Sequence, residues 1–319
     1  MIQPLKRALR NSIKSANLQL RTKLSFRALA AEDETFLTLF PGNAKLRRIA
    51  GGFGFTEGPV WLPGENALLF SDIPGNRIYR WEPNGKLSIY REPSHNSNGL
   101  TLDPLGRLIA CEHGTRRVTR TELDGSIKVL ADSYQGKPLN SPNDVVTARD
   151  GTIFFTDPPY GIRPDQQELP YQGVYRITTE GELECLSRDF DRPNGLCFNL
   201  DETSLFVDDS SSRCHIRQVV NATAGTPNEA KVWFEMSRPG LSGDPDGMKL
   251  DQHGRLFCTG PEGVWVFSPD GAHLGTIRLP ELPANLAWGD EDGKGLYITA
   301  RTSVYHLRTE HGGARPAWR

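Results

Sequence analysis

Six oxygen-bearing side chains occupy the same position of a pattern that recurs along the chain. Each is a carboxylate or a carboxamide, and each opens a short apolar stretch. The six residues are Glu57, Asn98, Asn143, Asn194, Asp246 and Asn285. Hard divalent cations such as Ca²⁺ and Mg²⁺ prefer oxygen ligands of this kind, whereas Zn²⁺ is expected to recruit His or Cys. If the fold brings these positions together, the pattern predicts a divalent-cation site.

The same residues have a simpler interpretation. Asn-Gly and Asp-Gly are common turn dipeptides, so any one of the six could only shape the loop that enters its strand. Six occurrences in register favour the cation site over six independent turns. Glu57 adds to this preference because Glu is a poor turn former.

A second polar position follows about fourteen or fifteen residues later, at the end of the next apolar stretch. Its members are Asp72, Glu112, Asp157 and the pair Asp208-Asp209, with Thr259 and Thr299 in the last two copies. These side chains either orient the cation ligands and contact a substrate, or bind loop backbone as in Asx turns. Both alternatives are open, and the candidate substrate-binding residues from this position are Glu112, Asp157 and Asp209.

The elements that position these side chains are the strands of a repeat that begins at about residue 53. Each copy has a short apolar strand, a polar turn, a second strand, a loop and a third strand, often followed by a fourth. Repeats of roughly 40 to 50 residues with about four strands are typical of β-propeller blades, whose innermost strands line a central channel. The sequence therefore predicts an all-β, six-bladed propeller with four antiparallel strands per blade. Two stacked β-sandwiches would not repeat so regularly.

The sixth copy lacks an outer strand, and the chain offers a replacement ahead of the first copy. Residues 44–50 (AKLRRIA) resemble the fourth strands of other copies. We expect this segment to complete the last blade and close the ring, which removes an exposed sheet edge. Removal of residues up to about 35 should then be harmless, whereas removal past residue 50 should open the ring.

The remaining composition narrows the class of protein. The 319 residues carry a formal net charge of -2, which gives no reason to expect a nucleic acid partner. No apolar run approaches the length of a membrane span. Five cysteines without a CxxC pair indicate free thiols in a reducing compartment, so we expect a cytoplasmic location.

The basic segment before residue 30 is expected to be a short helical or disordered extension. The domain division is thus residues 1–35 for the extension and 36–319 for the propeller; the oligomeric state is open.

Four motifs in this chain resemble those of the gluconolactonase, regucalcin (senescence marker protein) and luciferin-regenerating-enzyme family. They are residues 57–61 (EGPVW), 141–144 (SPND), 192–196 (RPNGL) and 245–248 (PDGM). The resemblance covers roughly residues 40–308 in the same order. It implies a six-bladed propeller with one catalytic divalent metal held by a Glu, two Asn and an Asp. Carried over by motif, these ligands are Glu57, Asn143, Asn194 and Asp246. Calcium is the expected ion, with magnesium, manganese and zinc as alternatives.

The segment around Asn98 and residues 112–117 (EHGTRR) is similar to the bacterial gluconolactonase branch. The similarity implies that Asn98, His113 and Arg116 contact the substrate. For His113, a loop residue satisfied by backbone is the alternative. Residues 158–172, an insertion after the second strand of the third copy, are either a lid over the site or a variable surface loop.

The implied reaction is hydrolysis of a sugar lactone. A bound cation would polarise the carbonyl and lower the pKa of water, and Asp246 is the candidate general base. Arg116 or His113 is a candidate for stabilising the oxyanion. No G-x-S-x-G elbow is present, which disfavours an acyl-enzyme. The alternatives are hydrolysis of organophosphates or aryl esters on the same site, and a non-catalytic calcium-binding scaffold.

Overall fold

Six antiparallel sheets are arranged as the blades of a ring in a computed structural model that describes residues 28–212, 214–220 and 230–314. The first strand of each blade contacts the first strand of the next, and the sixth blade returns to the first. These six strands surround a central channel, one end of which opens into a cavity of about 350 Å³ lined by the later residues of all six strands. The six-bladed propeller that the repeat predicts is therefore confirmed.

The strands follow one another from the channel outward in each blade. Blade 1 contains β3 (Thr56–Leu62), β4 (Ala67–Asp72), β5 (Arg77–Trp81) and β6 (Leu87–Arg91). Blade 2 contains β7 (Ser97–Leu102), β8 (Leu108–Glu112), β9 (Arg117–Thr121) and β10 (Ile127–Ala131). A small hairpin, β11 (Ser133–Tyr134) and β12 (Lys137–Pro138), precedes blade 3, which contains β13 (Val145–Thr147), β14 (Ile153–Asp157), β15 (Gln172–Ile177) and β16 (Leu183–Phe190).

The second half of the ring has the same order. Blade 4 contains β17 (Pro193–Phe198), β18 (Ser204–Asp209), β19 (His215–Val220) and β20 (Lys231–Glu235). Blade 5 contains β21 (Met248–Leu250), β22 (Leu256–Gly260), β23 (Gly263–Phe267) and β24 (His273–Arg278), and blade 6 contains β25 (Asn285–Gly289), β26 (Gly295–Ala300) and β27 (Ser303–Arg308). Short 3₁₀ turns lie at Pro63–Glu65 and Pro164–Gln166. No helix in the described part of the chain is long and apolar enough to cross a membrane.

Polar turns between the first two strands explain why the strands end where they do. In blade 2, Asp103 accepts hydrogen bonds from the backbone N–H groups of Leu105 and Arg107. In blade 5, Asp251 accepts from those of His253 and Arg255. An aspartate that binds backbone N–H groups two and four residues on favours a turn over a continued strand.

An N-terminal strand closes the ring, as the sequence predicts. Strand β2 (Arg47–Gly51) pairs with β27 of blade 6, with Arg47 opposite His306 and Gly51 opposite Ser303. Chain segments separated by about 250 residues thus share one sheet.

The propeller reaches further toward the N-terminus than the division after residue 35. Strand β1 (Leu29–Ala31) pairs with β24 and adds a fifth strand to blade 5. Helix α1 (Glu34–Thr38) follows and buries Phe36 completely in the cluster shared by blades 5 and 6. Asp33 caps this helix by accepting from Thr35 N at 2.7 Å. Residues 29–35 are therefore part of the propeller, while the rest of the expected basic extension, residues 1–27, lies outside the described residues.

Glycines beside the channel let neighbouring blades approach each other. Gly58 has a φ of +51°, and a Cβ there would lie 2.0 Å from the carbonyl oxygen of Asn98 in blade 2. At Gly195 a Cβ would lie 1.8 Å from the carbonyl oxygen of Asp246 in blade 5. The glycine after the polar residue is thus required by close backbone contact between blades, and not only by a turn.

Candidate active site

The polar residues of the six first strands lie at one mouth of the channel and are mostly buried. Glu57, Asn98, Asn194 and Asn285 lie within or at the start of first strands, and Asn143 and Asp246 lie two residues before them. Five of the six are buried, and Asp246 is half-buried. They meet across blades: Asn285 Nδ2 of blade 6 lies 3.4 Å from Asp144 Oδ2 of blade 3, and the carboxylate of Glu57 contributes to the raised pKa of Asp246.

Burial raises the pKa of Glu57 to about 7, and the nearby carboxylate of Asp144 contributes. The pKa of Asp246 lies well above its usual range because of burial and because of the carboxylates of Glu57 and Asp144. The Asn194 side chain is close enough to Asp246 to offset part of this shift. Residues of blades 1, 3, 4 and 5 therefore share one electrostatic environment.

Two amide oxygens in this ring have no hydrogen-bond partner among the described residues. Asn194 donates its Nδ2 to Ser210 Oγ at 3.0 Å, and Ser210 in turn donates to the carbonyl of Pro245 at 2.6 Å. The Oδ1 atoms of Asn194 and of Asn98 are buried and unpaired. A buried acceptor without a donor is unfavourable unless a ligand supplies the missing contact.

The donor set fits a hard divalent cation. Its two carboxylates, Glu57 and Asp246, repel each other, and its amides include the unpaired oxygen of Asn194. A dication would neutralise this repulsion and would supply the contact that the amide oxygen lacks. All the donors are oxygens, as calcium requires. Within residues 28–212, 214–220 and 230–314, no group of three or more His, Cys, Asp or Glu side chains has metal-binding geometry by itself. The site therefore depends on its amides.

The residues of the second polar position occupy two adjacent sites in their strands. At one of these sites the side chains bind the backbone of neighbouring loops. Asp72 accepts from the backbone N–H groups of Gly54 and Phe55, which lie just before the polar residue of blade 1. Asp157 in blade 3 accepts equivalent bonds from Asn140 and Ser141 at 2.8 and 2.7 Å. This repeated contact favours the loop-binding alternative for these aspartates.

Asp209 and Glu112 also have their carboxylates engaged by the protein. Asp209 accepts from the backbone N–H groups of Asp191, Arg192 and Ser211. Glu112 is fully buried, accepts from Thr115, Arg117 and Thr119 side chains, and forms an ion pair with Arg91. These contacts leave little capacity for a substrate: Asp209 follows the loop-binding interpretation, whereas Glu112 belongs to a network of side-chain hydrogen bonds and ion pairs.

The other of these two sites lies one residue earlier in the second strand. Its side chains therefore point to the opposite face of the sheet. Thr299 lies directly opposite Asn285 in the pairing of β25 with β26, as Ser71 lies opposite Glu57. In blade 4 the equivalent residue is Asp208, whose neighbour Asp209 pairs with Pro193. The sequence spacing merges these two positions because they differ by one residue, which in a strand reverses the side-chain direction.

His113 and Asn98 contact each other at the mouth. His113 Nε2 lies 3.3 Å from Asn98 Nδ2. Because the amide nitrogen can only donate, Nε2 accepts and the ring proton lies on Nδ1. Burial lowers the pKa of His113 to about 4, so the ring is neutral near pH 7. His113 thus orients Asn98 so that its Oδ1 is left free.

Arg116 has a different environment. Its Nε donates to the carbonyl oxygens of Leu139 at 2.6 Å and Asn140 at 3.1 Å. Its guanidinium therefore anchors the segment that leads into blade 3. This contact supports a role in positioning and not a role at the oxyanion.

The insertion at residues 158–172 lies against the mouth. Gly161 donates its N–H to Ser141 Oγ at 3.0 Å, and a Cβ on Gly161 would lie 2.7 Å from the Cβ of His113. Partial burial and the nearby carboxylates of Asp246 and Asp208 raise the pKa of Tyr160, which is 43% exposed. One loop therefore contacts the His113 side and approaches the Asp246 side of the mouth.

Three residues near the site were not singled out from the sequence as members of it. Asp144 is buried beside Glu57 and accepts from Val145 N at 2.9 Å and from Asn285 Nδ2 at 3.4 Å. Tyr160 lies in the insertion, and Ser210 orients Asn194. In most blades Gly follows the repeated polar residue, but in blade 3 Asp144 does. This departure from the pattern could have identified Asp144 as a site residue.

Comparison with known proteins gives a consistent result. Residues 55–302 match the model of the SMP-30/Gluconolactonase/LRE-like region. A gluconolactonase of Zymomonas mobilis is 35% identical over 292 residues, which is 83% of this chain and 81% of the relative. A pentonolactonase of Haloferax volcanii is 28% identical and covers 76% of this chain and 80% of its own length. The structure of a gluconolactonase from Xanthomonas campestris is similar with a TM-score of 0.81 at 32% identity, covering 88% of this chain and 94% of that one.

Proposed function

The chain belongs to the SMP-30/gluconolactonase/LRE-like family, and we propose that it is a metal-dependent hydrolase that opens a sugar lactone. The lactone class is supported by the relatives that act on gluconolactone and pentonolactone by name. The observation that carries the proposal is the ring of buried carboxylate and amide oxygens, two of them unpaired, at one mouth of the channel.

The metal centre in this proposal is formed by Glu57, Asn143, Asn194 and Asp246. A divalent cation bound there supplies Lewis-acid polarisation of the lactone carbonyl and acidifies water. All four ligands are oxygen donors, which favours Ca²⁺ over Zn²⁺.

Asp246 acts as the general base in this mechanism. It removes a proton from the water that attacks the carbonyl carbon, and the bond from that carbon to the ring oxygen then breaks. The ring oxygen receives the proton that Asp246 took from the water, so the product is the open hydroxy acid and Asp246 is ionised again. Burial and the carboxylates of Glu57 and Asp144 raise the pKa of Asp246 in the cation-free protein; with a cation bound beside it, Asp246 would stay ionised and could accept the proton.

Asn98 and the insertion form the substrate side of the site. The free Oδ1 of Asn98 accepts a hydrogen bond from a sugar hydroxyl, and neutral His113 holds the amide in that orientation. Residues 158–172 cover the mouth, where Tyr160 packs near Asp246.

The test is a lactone panel with chelated protein to which calcium, magnesium, manganese or zinc is returned. Acid release above the spontaneous rate should require a divalent cation. Asp246→Asn and Glu57→Gln should abolish it while the protein stays folded. Asp270→Asn, an exposed turn residue of the same blade as Asp246, is the matched control and should keep full activity.

Each alternative has its own result. Activity that survives chelation, with no metal by elemental analysis, contradicts the metal-dependent mechanism. A phosphotriester or aryl ester hydrolysed faster than every lactone favours the other hydrolase. Cation binding without hydrolysis of any of these substrates favours the scaffold.

A further inference from the structure

One position beside the channel holds a small hydrogen-bond donor in five blades and a carboxylate in blade 4. It is the second-strand position that faces the neighbouring blade. Its members are Ser71, Cys111, Thr156, Asp208, Thr259 and Thr299. Five of them are small donors, and Asp208 is the only carboxylate.

The five small side chains bind backbone carbonyl oxygens near the channel. Ser71 donates to Asn98 O at 2.8 Å, and Thr156 donates to Asn194 O at 2.7 Å. Cys111 donates to Asp144 O and Thr259 to Ala284 O, also at the start of the next blade, whereas Thr299 donates to Asn285 O of its own blade. In four of the six blades the position therefore helps to join neighbouring blades around the channel.

An ionised Asp208 cannot make such a bond, because a carboxylate has no proton to donate. Asp208 is fully buried, and neither of its oxygens has a hydrogen-bond partner among the described residues. The N–H of Gly195 approaches this carboxylate, but the contact falls short of good hydrogen-bond geometry. A buried carboxylate without donors or a counter-charge is strongly unfavourable.

The location of Asp208 suggests what supplies the counter-charge. It lies opposite a bulge formed by Asn194 and Gly195, since Pro193 pairs with Asp209 and Leu196 with Val207. A Cβ on Gly195 would lie 2.9 Å from Asp208 Oδ2 and 1.8 Å from the carbonyl oxygen of Asp246. The carboxylate thus adjoins the backbone of two proposed metal ligands.

We infer that Asp208 is a further residue of the divalent-cation centre, where it contributes negative charge beside Asn194 and Asp246. This inference rests on the cation site of the proposed function. It is specific to blade 4, because the other blades use this position to donate hydrogen bonds. Asp144, the other additional carboxylate nearby, already accepts from Val145 and Asn285.

Two substitutions at Asp208 and one at its neighbour test the inference. Asp208→Asn removes the charge at constant size, and Asp208→Thr reproduces the Thr156 arrangement of blade 3. Asp209→Asn is the matched control, because that carboxylate binds only backbone N–H groups of a loop. The Kd for Ca²⁺ is measured by calorimetry on chelated protein, and thermal unfolding is measured with and without Ca²⁺.

Both Asp208 variants should bind Ca²⁺ about 10- to 100-fold more weakly. Their chelated forms should unfold at the same temperature as the chelated wild type or higher. Asp209→Asn should lower the Tm of both forms and leave the Kd unchanged. If one Asp208 variant fails to fold, the other still decides the question.

An unchanged Kd in a folded Asp208 variant overturns the inference and leaves the metal site of Glu57, Asn143, Asn194 and Asp246 standing. Wild-type protein that binds no divalent cation overturns both. The two failures are therefore distinguishable from the wild-type titration alone.

Discussion

Glu57→Gln should stabilise the chelated protein while it abolishes the proposed activity. The carboxylate is buried at the mouth of the channel and accepts a hydrogen bond from Gly58 N at 2.7 Å. Without a cation, its negative charge faces other carboxylates. Gln has nearly the same shape and keeps the acceptor, but it carries no charge.

The pKa of Glu57 sets the size and the pH range of the effect. Its pKa rises from 4.5 to about 7 on folding, chiefly because of burial. The folded state therefore holds this proton more tightly than the unfolded chain. The free energy of unfolding consequently falls as the pH rises from about 4.5 to about 7. At about 1.4 kcal/mol per pKa unit, the loss is on the order of 3 kcal/mol above that range.

Urea unfolding of chelated wild-type and Glu57→Gln protein at pH 5 and pH 8 measures this difference. The variant should be more stable than wild type at pH 8 by on the order of 3 kcal/mol, and the difference should shrink at pH 5. Added Ca²⁺ should stabilise wild type and have a much smaller effect on the variant. Glu235→Gln, at an exposed position in β20, should change neither result. A variant that is no more stable than wild type at pH 8 would refute the assignment of Glu57 as a carboxylate poised for a cation.

Three further predictions concern residues around the site and the N-terminal helix. Gly161→Ala should raise KM more than it lowers kcat, because the new Cβ displaces the insertion from His113; steady-state kinetics checks this. Glu112→Gln should destabilise the protein by about 3 kcal/mol, since it breaks the ion pairs of a fully buried carboxylate with the half-buried Arg91 and Arg117. A change in KM with unchanged unfolding would instead restore Glu112 as a substrate ligand. Phe36→Ala should cost about 3–5 kcal/mol in urea unfolding, against about 0.5 kcal/mol or less for Leu123→Ala, which is 85% exposed.

The fold and the ring of polar residues could be predicted from the sequence because both follow from the repeat. Every copy of the repeat places its polar residue just before or at the start of its first strand, so the repeat alone groups Glu57 with Asn194 and Asp246. The closing strand at residues 47–51 was also identified, because it matches the outer strands of other blades and the last copy lacks one.

The sequence could not predict the register of the strands to a single residue. Asp208 and Asp209 are adjacent, and spacing cannot tell which faces the channel and which binds the loop. Thr259 and Thr299 were grouped with the loop-binding aspartates for the same reason. Bulges such as the one at Asn194 and Gly195 shift the pairing by one residue, and the apolar pattern does not record them.

The N-terminal boundary was obscured by composition. Basic residues dominate the chain up to Arg27, and this hid the short apolar segment at residues 36–40 (FLTLF). The partner surface of that segment is formed by blades 5 and 6, more than 200 residues away. A local pattern cannot reveal packing over that separation.

Closure of the ring by β2 ties completion of the site to synthesis of the sixth blade. As the chain leaves the ribosome, the strand at residues 47–51 emerges early, yet its partner at residues 303–306 follows all the strands of blades 1 to 5. Until the sixth blade is made, blade 1, with Glu57, has no neighbour on one side, and Asn285 is missing from the ring. Such a non-local step is slow compared with the formation of single hairpins. A nascent chain therefore carries several finished blades while its carboxylates are still apart, and they become a single anionic site only when the two ends meet.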